Sequence, residues 1–298
     1  MTDAKGTRPG ARGAVDVRAT AAAPGMTPFD EVYDQPDPRA YFQALGPLEY
    51  RTPGHAQPIF RRLTTALGTG PGAAHPTVLD LCCSYGINAA LLNHEVTLEE
   101  LYERYTSPVA RAMSTRQLMD WDREFYLSRR RTGQVPVVGL DIASRAVAYG
   151  RAVGLLADGY AENLEVDPPS PALRRAVRDV RLITLTGGAG FLSPRTLRPL
   201  LAAAHGPVWV AAFVLRTTPY DELAGCLAAF GLATERAAPT FAQRRFTDDG
   251  ERGFAVEAVS AAGLDPRGKE TAGYFHTALH LSRPTSDVVM SPLDTLVP

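Results

Sequence analysis

The sequence predicts an α/β fold in which a mostly parallel sheet of seven strands has helices on both faces. Apolar runs typical of strands alternate with segments of helical periodicity from residue 77 to residue 281. Two of these runs, residues 78–80 and 135–141, end at a carboxylate, Asp80 and Asp141. A third run, residues 207–215, is apolar throughout, as expected of a central strand that is buried on both faces.

The composition limits the classes of function. The chain has 298 residues, of which 45% are hydrophobic, and a formal net charge of -1. This near-neutral charge gives no electrostatic basis for binding nucleic acid or an anionic membrane, so neither is expected as a partner. Cys82, Cys83 and Cys226 lack the spacing of metal ligands, which predicts no metal site and a reduced, cytoplasmic setting. No apolar run reaches the length of a membrane span or of a signal-peptide core.

Residues 1–70 differ from the rest of the chain. Residues 1–28 are rich in Ala, Gly, Arg, Thr and Pro, which predicts a disordered leader. The helical spacing of apolar and aromatic residues in residues 29–70 predicts a helical cap with short helices at 29–33, 37–45 and 59–67. The last of these helices is predicted to begin after Pro58 and to end at Gly68. A Gly-Pro-Gly linker at 70–72 leads into the α/β domain, residues 71–298.

The turn after the first strand has the pattern of a ligand-binding loop. Cys82, Ser84 and Gly86 place small residues at every second position, and a helical pattern begins at Ile87. Small side chains allow a ligand to lie against the backbone, and the N–H groups of a helix N-terminus favour an anionic group. Asp141, at the end of the second strand, is placed to accept hydrogen bonds from ribose hydroxyls. The two features together predict an adenosine-type ligand.

A helical insertion, residues 93–134, separates the first helix from the second strand. Crossovers in α/β units are usually shorter. Helices are predicted at 98–105 and at 115–131, the second with Ser114 as N-cap. Such insertions often form lids or substrate walls, and the alternative is that its aromatic residues simply pack it onto the core.

The remaining elements alternate as an α/β fold requires. Strands are predicted at residues 161–166, 181–186, 240–246 and 274–281, and helices at residues 143–156, 173–179, 221–230 and 248–262.

With carboxylates at both strand ends, the chain resembles the class I S-adenosylmethionine-dependent methyltransferases over residues 77–284. The resemblance implies a Rossmann-like domain. The first turn of that family reads D/E-x-G-x-G-x-G, in which Asp80 matches the acid. Cys82, Ser84 and Gly86 stand at the glycine positions, so two glycines are replaced, and a positive φ at Cys82 would be costly. The resemblance implies that Asp80 and the turn hold the methionine moiety, with help from Asn88.

The resemblance also implies a binding site for the nucleoside. Asp141 matches the ribose-binding acid, and Ile142 beside it would stack on the adenine. Asn163 would bond the adenine amino group, and the N–H of Leu164 would bond a ring nitrogen. All four residues are expected beyond strand C-termini, where open parallel sheets bind ligands.

The resemblance also implies where the acceptor of the methyl group would bind, namely at the end of the fourth strand and beside nearby aromatic residues. Thr186, Gly187 and Gly188 fall where the family lines the channel that joins cofactor to substrate. Tyr33 and Tyr85 are candidates for the wall of the acceptor pocket. Because a sulfonium is attracted to aromatic faces, Tyr85 is also a candidate catalytic residue.

His55 is the best candidate for a general acid or base, which methyl transfer needs only when the acceptor must lose a proton. His276 and His280 share one face of a predicted strand, where packing in the core or at the surface is the alternative to a functional role. The other histidines are scattered, and no pair has metal-ligand spacing.

The resulting prediction is an enzyme that transfers a methyl group from S-adenosylmethionine to a small-molecule metabolite, for example in secondary metabolism. One alternative keeps the cofactor but uses its aminobutyrate portion, closing azetidine-2-carboxylate and releasing methylthioadenosine. Another is a catalytically silent ligand-binding relative. The acceptor is not identified by the residues, and a homodimer is left open.

Overall fold

The computed structural model describes residues 25–68 and 75–297. Residues 1–24 of the predicted leader and the Gly-Pro-Gly linker lie outside the described residues. The strands are β1 (Thr77–Leu81), β2 (Val137–Asp141), β3 (Asp158–Ala161), β4 (Val180–Leu185), β5 (Trp209–Leu215), β6 (Leu232–Arg245) and β7 (Tyr274–Pro284). The helices up to β4 are α1 (Asp30–Tyr33), α2 (Arg39–Leu45), α3 (Thr52–Leu67), α4 (Ile87–Asn93), α5 (Leu98–Thr106), α6 (Pro108–Ala112), α7 (Thr115–Leu127), α8 (Ser144–Ala152) and α9 (Pro171–Ala176). Those after β4 are α10 (Pro194–Ala203), α11 (Asp221–Ala228), α12 (Asp249–Ala261), α13 (Thr285–Met290) and α14 (Leu293–Leu296).

The seven strands form one sheet in the order β3-β2-β1-β4-β5-β7-β6. All neighbours from β3 to β5 are parallel, and β7 is antiparallel to both β5 and β6. The predicted Rossmann-like fold class, a mostly parallel seven-stranded α/β sheet, is therefore confirmed. From β1 the chain winds outward to β2 and later returns to the other side as β4. Such a switch point opens a crevice at the carboxyl ends of the two central strands.

The cap covers one face of the sheet. Helix α3 begins at Thr52 and contains Pro58, so the predicted start after Pro58 is wrong. Pro53, in the first turn, is the proline that fits the helix start, because its missing N–H has no partner to lose there. The ring of Phe60 packs edge-on against Phe213 of β5, with centroids 5.9 Å apart, which fixes α3 to the sheet.

Several boundaries differ from the sequence prediction. Strand β3 ends at Ala161, the first residue of the predicted range of 161–166, because Asn163 turns the chain by accepting the N–H of Glu165 (3.1 Å). Strand β6 begins at Leu232 rather than residue 240. A shift of register between Arg236 and Thr240 accommodates Pro239 within it. Helix α10 was not predicted, because Pro199 inside it resembles a helix breaker.

A buried carboxylate joins the insertion to the α/β domain. Asp122 of α7 is fully buried and accepts hydrogen bonds from Arg104 Nε (2.9 Å), Tyr105 Oη (2.7 Å) and Tyr149 Oη (2.6 Å). Because Tyr149 belongs to α8, the carboxylate links the insertion to the sheet's own helices. No helix in the described part of the chain combines the length and apolarity needed to cross a membrane.

Candidate functional site

The turn between β1 and α4 has an unusual backbone. Cys82, Ser84 and Gly86 have φ values of 54°, 47° and 81°, so all three glycine positions of the family pattern are left-handed. For a residue with a side chain this conformation costs about 1–2 kcal/mol. Among the described residues only Glu49, with φ 53°, is another non-glycine of this kind. Strain of this sort is retained where the surrounding structure fixes the backbone, which is common at functional sites.

Asp141 is one of the groups that fix this turn. Its Oδ2 accepts the N–H of Ser84 (2.8 Å), and its Oδ1 accepts the N–H of Ala143 (2.9 Å). The carboxylate thus ties the β1 turn to the end of β2. Burial raises the pKa of Asp141, although these backbone hydrogen bonds oppose the shift. Each oxygen keeps a second lone pair, so the predicted contact with a ribose is compatible with the structure.

Asp80 lies deeper than the turn and is fully buried. Its Oδ1 accepts hydrogen bonds from Asn88 Nδ2 (2.9 Å) and Thr184 Oγ1 (2.7 Å). Asn88 Nδ2 also donates to Thr186 Oγ1 (2.9 Å), so one network joins β1, α4 and the end of β4. Burial raises the pKa of Asp80 to about 7.

Two buried polar atoms of this site, Ser84 Oγ and Asp80 Oδ2, have no hydrogen-bond partner. Leaving such an atom unpaired costs about 1–3 kcal/mol. Both belong to the residues that end β1 and form its turn, beside the switch-point crevice. They are therefore suited to bind polar groups of a ligand that carries hydroxyl or amino donors.

Tyr85 fastens the cap to the turn. Its hydroxyl donates to the carbonyl of Gln35 (3.1 Å) and accepts the N–H of the same residue (2.9 Å). Its ring packs edge-on against Tyr41, with centroids 6.3 Å apart, and Tyr41 packs likewise against Tyr33 at 5.6 Å. The structure thus places Tyr33 and Tyr85 in one aromatic cluster over the turn. The hydroxyl of Tyr85 is engaged by backbone, so only its ring remains for the predicted contact.

Tyr50 is a residue of this site that the sequence analysis missed. Its hydroxyl donates to the carbonyl of Thr186 (3.1 Å), and its own carbonyl accepts a hydrogen bond from Tyr102 Oη (3.0 Å). A Cβ placed on Gly187 would lie 3.5 Å from the Tyr50 hydroxyl. Tyr50 therefore joins the cap, the insertion and the β4 loop, residues 186–190. It stands outside any helical pattern, so no periodicity signalled this role.

The other predicted residues are more dispersed. His55 lies in the first turn of α3, with its ring centroid 5.6 Å from that of Phe241 in β6, and burial lowers its pKa. The described contact of its ring is thus with β6. Ile142 is half-buried beyond β2, and Asn163 is half-buried in the loop after β3. Leu164 is buried in the core on the opposite face from the cap. Within the described residues no cluster of His, Cys, Asp and Glu could hold a metal ion.

We expect the Tyr50→Phe variant to loosen the β4 loop. The change removes one hydrogen bond, worth about 1 kcal/mol, from the carbonyl of Thr186. Amide hydrogen exchange at residues 187–190 should therefore accelerate about fivefold. Tyr160→Phe is the matched control, because its hydroxyl bonds Asp158 in β3, at the edge of the sheet. Equal exchange in the β4 loop of the two variants would contradict the role given to Tyr50.

No family model matches the chain, and no curated protein matches it at the level of sequence. Solved structures of similar fold do exist. The CurJ carbon methyltransferase has a TM-score of 0.47 at 10% identity, over 87% of this chain and 61% of that one. A TehB-like SAM-dependent methyltransferase from Corynebacterium glutamicum gives 0.33 at 15% identity, over 74% and 85%. The precorrin 8w decarboxylase of Methanobacterium thermoautotrophicum gives 0.36 at 15%, over 75% and 88%.

These solved structures resemble the chain in fold, as the sequence predicted, and at 10–15% identity they show the fold alone. Methyltransferases that use S-adenosylmethionine are among the structural neighbours, as are proteins whose names give another activity. Because one fold serves many activities, function has to be argued from the crevice itself.

Proposed function

We propose that the protein is an S-adenosylmethionine-dependent methyltransferase that acts on a small-molecule metabolite in the cytoplasm. The observation that supports this most is the pair of unpartnered buried atoms, Ser84 Oγ and Asp80 Oδ2, at the switch point of a parallel sheet. A carboxylate, Asp141, stands at the end of the adjacent strand. This is where an open α/β sheet binds a nucleoside.

The residues present fit such a ligand. We assign the ribose to Asp141, the adenine to Ile142 and the loop at Asn163, and the amino-acid portion to the turn 82–86 with Asn88 behind it. When bound, S-adenosylmethionine supplies a methyl group made electrophilic by a sulfonium. The residues of the chain have to orient the acceptor and exclude water from it. The tyrosines of the cap lie over the turn and are suited to both tasks.

A small acceptor is proposed because the cap and the insertion cover the crevice. Tyr85 bonds Gln35 of the cap, and Tyr50 reaches the β4 loop while it is held by Tyr102 of the insertion. We propose these two regions, residues 29–70 and 93–134, as the substrate-covering parts of the domain. The formal net charge of -1 offers no attraction for a nucleic acid.

Product analysis with candidate metabolite pools tests the proposal. Methyl transfer converts S-adenosylmethionine into S-adenosylhomocysteine and a methylated acceptor. The replacement of two turn glycines by Cys82 and Ser84 favours one second candidate, in which the cofactor's own amine attacks its γ-carbon. The C–S bond then breaks, methylthioadenosine leaves and the amine loses a proton. Methylthioadenosine as the product would support this second reaction. If titration calorimetry showed no binding of S-adenosylmethionine, both proposed reactions would be overturned.

Asp141→Ala should weaken the affinity for S-adenosylhomocysteine by about ten- to a hundredfold, equivalent to about 1.4–3 kcal/mol. The variant loses the acceptor for ribose hydroxyls and the anchor of the Ser84 N–H. Titration calorimetry measures the effect. Asp179 is an exposed carboxylate just before β4, at the amino-terminal end of that central strand and therefore away from the crevice, so Asp179→Ala should leave binding unchanged. Unaltered affinity in Asp141→Ala would remove Asp141 from the nucleoside site.

A further inference from the structure

The crevice is closed over the two polar atoms that a ligand would satisfy. Ser84 Oγ and Asp80 Oδ2, the unpartnered atoms at the end of β1, are both buried out of contact with solvent. A ligand can reach them only after a covering segment has moved aside, as lids do in many enzymes. Such a segment has to lie across the turns beside these atoms and has to be packed loosely enough to move.

Residues 28–36, which we call the strap, are fixed at both ends and loosely packed between them. Just before the strap, the N–H of Thr27 donates to Glu251 Oε1 (3.0 Å). Just after it, Asp37 is buried and accepts a hydrogen bond from Thr115 Oγ1 (2.6 Å). Between these two anchors none of the described side chains is fully buried. The strap can therefore move without opening the hydrophobic core.

The strap is bonded to the turns that follow β1 and β2. The N–H of Gln35 donates to Tyr85 Oη (2.9 Å), and the Tyr85 hydroxyl donates to the carbonyl of Gln35 (3.1 Å). Asp34 Oδ1 accepts the N–H of Arg145 (2.7 Å). Tyr85 lies in the turn after β1, and Arg145 lies in the first turn of α8, which follows β2. Because β1 and β2 are neighbouring parallel strands, the strap spans the crevice between their carboxyl ends.

Asp34 supplies α8 with a cap that the helix lacks in its own sequence. The residue before α8 is Ala143, whose side chain accepts no hydrogen bond, so the first N–H groups of the helix need another partner. Asp34 accepts one of them and places a negative charge at the positive end of the helix dipole. Burial is the main cause of the raised pKa of Asp141, and the charge of Asp34 adds to it, so the two carboxylates lie near each other at the crevice.

We propose that the strap is a gate, latched by Asp34 at the N-terminus of α8, that opens before a ligand enters or leaves the crevice between β1 and β2. The gate does not depend on the identity of the ligand, and the inference rests on the proposed function only for the choice of S-adenosylhomocysteine as the probe. With the strap closed in most molecules, the rate constants of association and dissociation are both proportional to the fraction in which it is open.

Asp34→Ala should raise both rate constants for S-adenosylhomocysteine about tenfold, because the latch loses its acceptor. A tenfold larger open fraction is equivalent to about 1.4 kcal/mol. The dissociation constant, which is the ratio of the two rate constants, should stay within about twofold of the native value. Surface plasmon resonance measures both rates. Faster dissociation alone, with a weaker dissociation constant, would make Asp34 a support of the bound ligand and overturn the gate, and so would two unaltered rates.

Three further variants serve as controls. Asp34→Asn keeps an oxygen that can accept the N–H of Arg145, so both rates should return nearly to the native values. Glu31→Ala removes an exposed carboxylate from the same strap but keeps the carbonyl that accepts Gln35 Nε2, and it should change neither rate. Tyr85→Phe removes both hydrogen bonds to Gln35 and keeps the ring, so it should raise the two rates together, as Asp34→Ala does.

Hydrogen exchange of the ligand-free protein tests the gate without any probe. In Asp34→Ala the protection factor of the Gln35 amide should fall about tenfold, although its own partner Tyr85 is untouched, because the strap opens as one unit. An unaltered protection factor would overturn the gate whatever the ligand does. Absence of S-adenosylhomocysteine binding in every variant would overturn the proposed function, and the Gln35 amide would then decide the gate by itself.

Discussion

Replacing Asp122 by alanine should lower the free energy of unfolding by about 3–5 kcal/mol, the usual cost of removing one partner of a buried ion pair. The side chain of Arg104 is only 8% exposed, so its charge would be left buried without its carboxylate. Tyr105 and Tyr149 would lose the same acceptor, at 2.7 Å and 2.6 Å. Urea unfolding, followed by circular dichroism, measures the loss.

The matched control lies on the same helix. Asp120 pairs with Arg123 at the surface, where its side chain is 59% exposed, and such pairs contribute about 0–1 kcal/mol. Asp120→Ala should therefore be nearly neutral. Because Asp122 also holds Tyr149 of α8, its loss should detach the insertion from the domain, and proteolysis should then cut first within residues 93–134. A small and equal effect of the two alanine variants would show that the Asp122 cluster does not hold the insertion.

The order of the elements was largely predictable because each central strand has its own local signal. β5 is apolar along its length, and β1 and β2 end near the acids Asp80 and Asp141. Helix α10 and the start of β6 were hidden by Pro199 and Pro239, which local rules treat as breakers. Tertiary packing decides such cases: Leu197, Leu200 and Leu201 of α10 are buried despite the proline.

The candidate site was predictable only in part. The positions of Cys82, Ser84 and Gly86 followed from the turn pattern. The sequence indicated that a positive φ would be costly at Cys82, and the structure shows a positive φ there and at the other two positions as well. The contact of Cys82 with Gly188 and the bond from Tyr50 to Thr186 join residues that are distant in sequence. A single sequence carries no signal for such pairs, because neither member breaks a local pattern.

The Asp80→Asn variant should change how stability depends on pH. Burial raises the pKa of Asp80 from 3.8 to about 7. Between about pH 4 and pH 7 the folded protein therefore holds a proton that the unfolded chain releases, and the free energy of unfolding falls as the pH rises through this window. At 1.36 kcal/mol per pH unit the fall amounts to about 4 kcal/mol above pH 7.

Asparagine keeps the oxygen that accepts from Asn88 and Thr184 but does not titrate. The variant should therefore lose this fall, and at pH 8 it should be more stable than the native protein by up to about 4 kcal/mol. Urea unfolding at pH 4 to 8 measures both curves. Glu95→Gln, at a carboxylate that is 65% exposed, should run parallel to the native curve. If the free energy of unfolding of Asp80→Asn also ran parallel to that of the native protein across this pH range, Asp80 would be ionised in the folded protein already at low pH. Its unpartnered oxygen would then carry a buried charge.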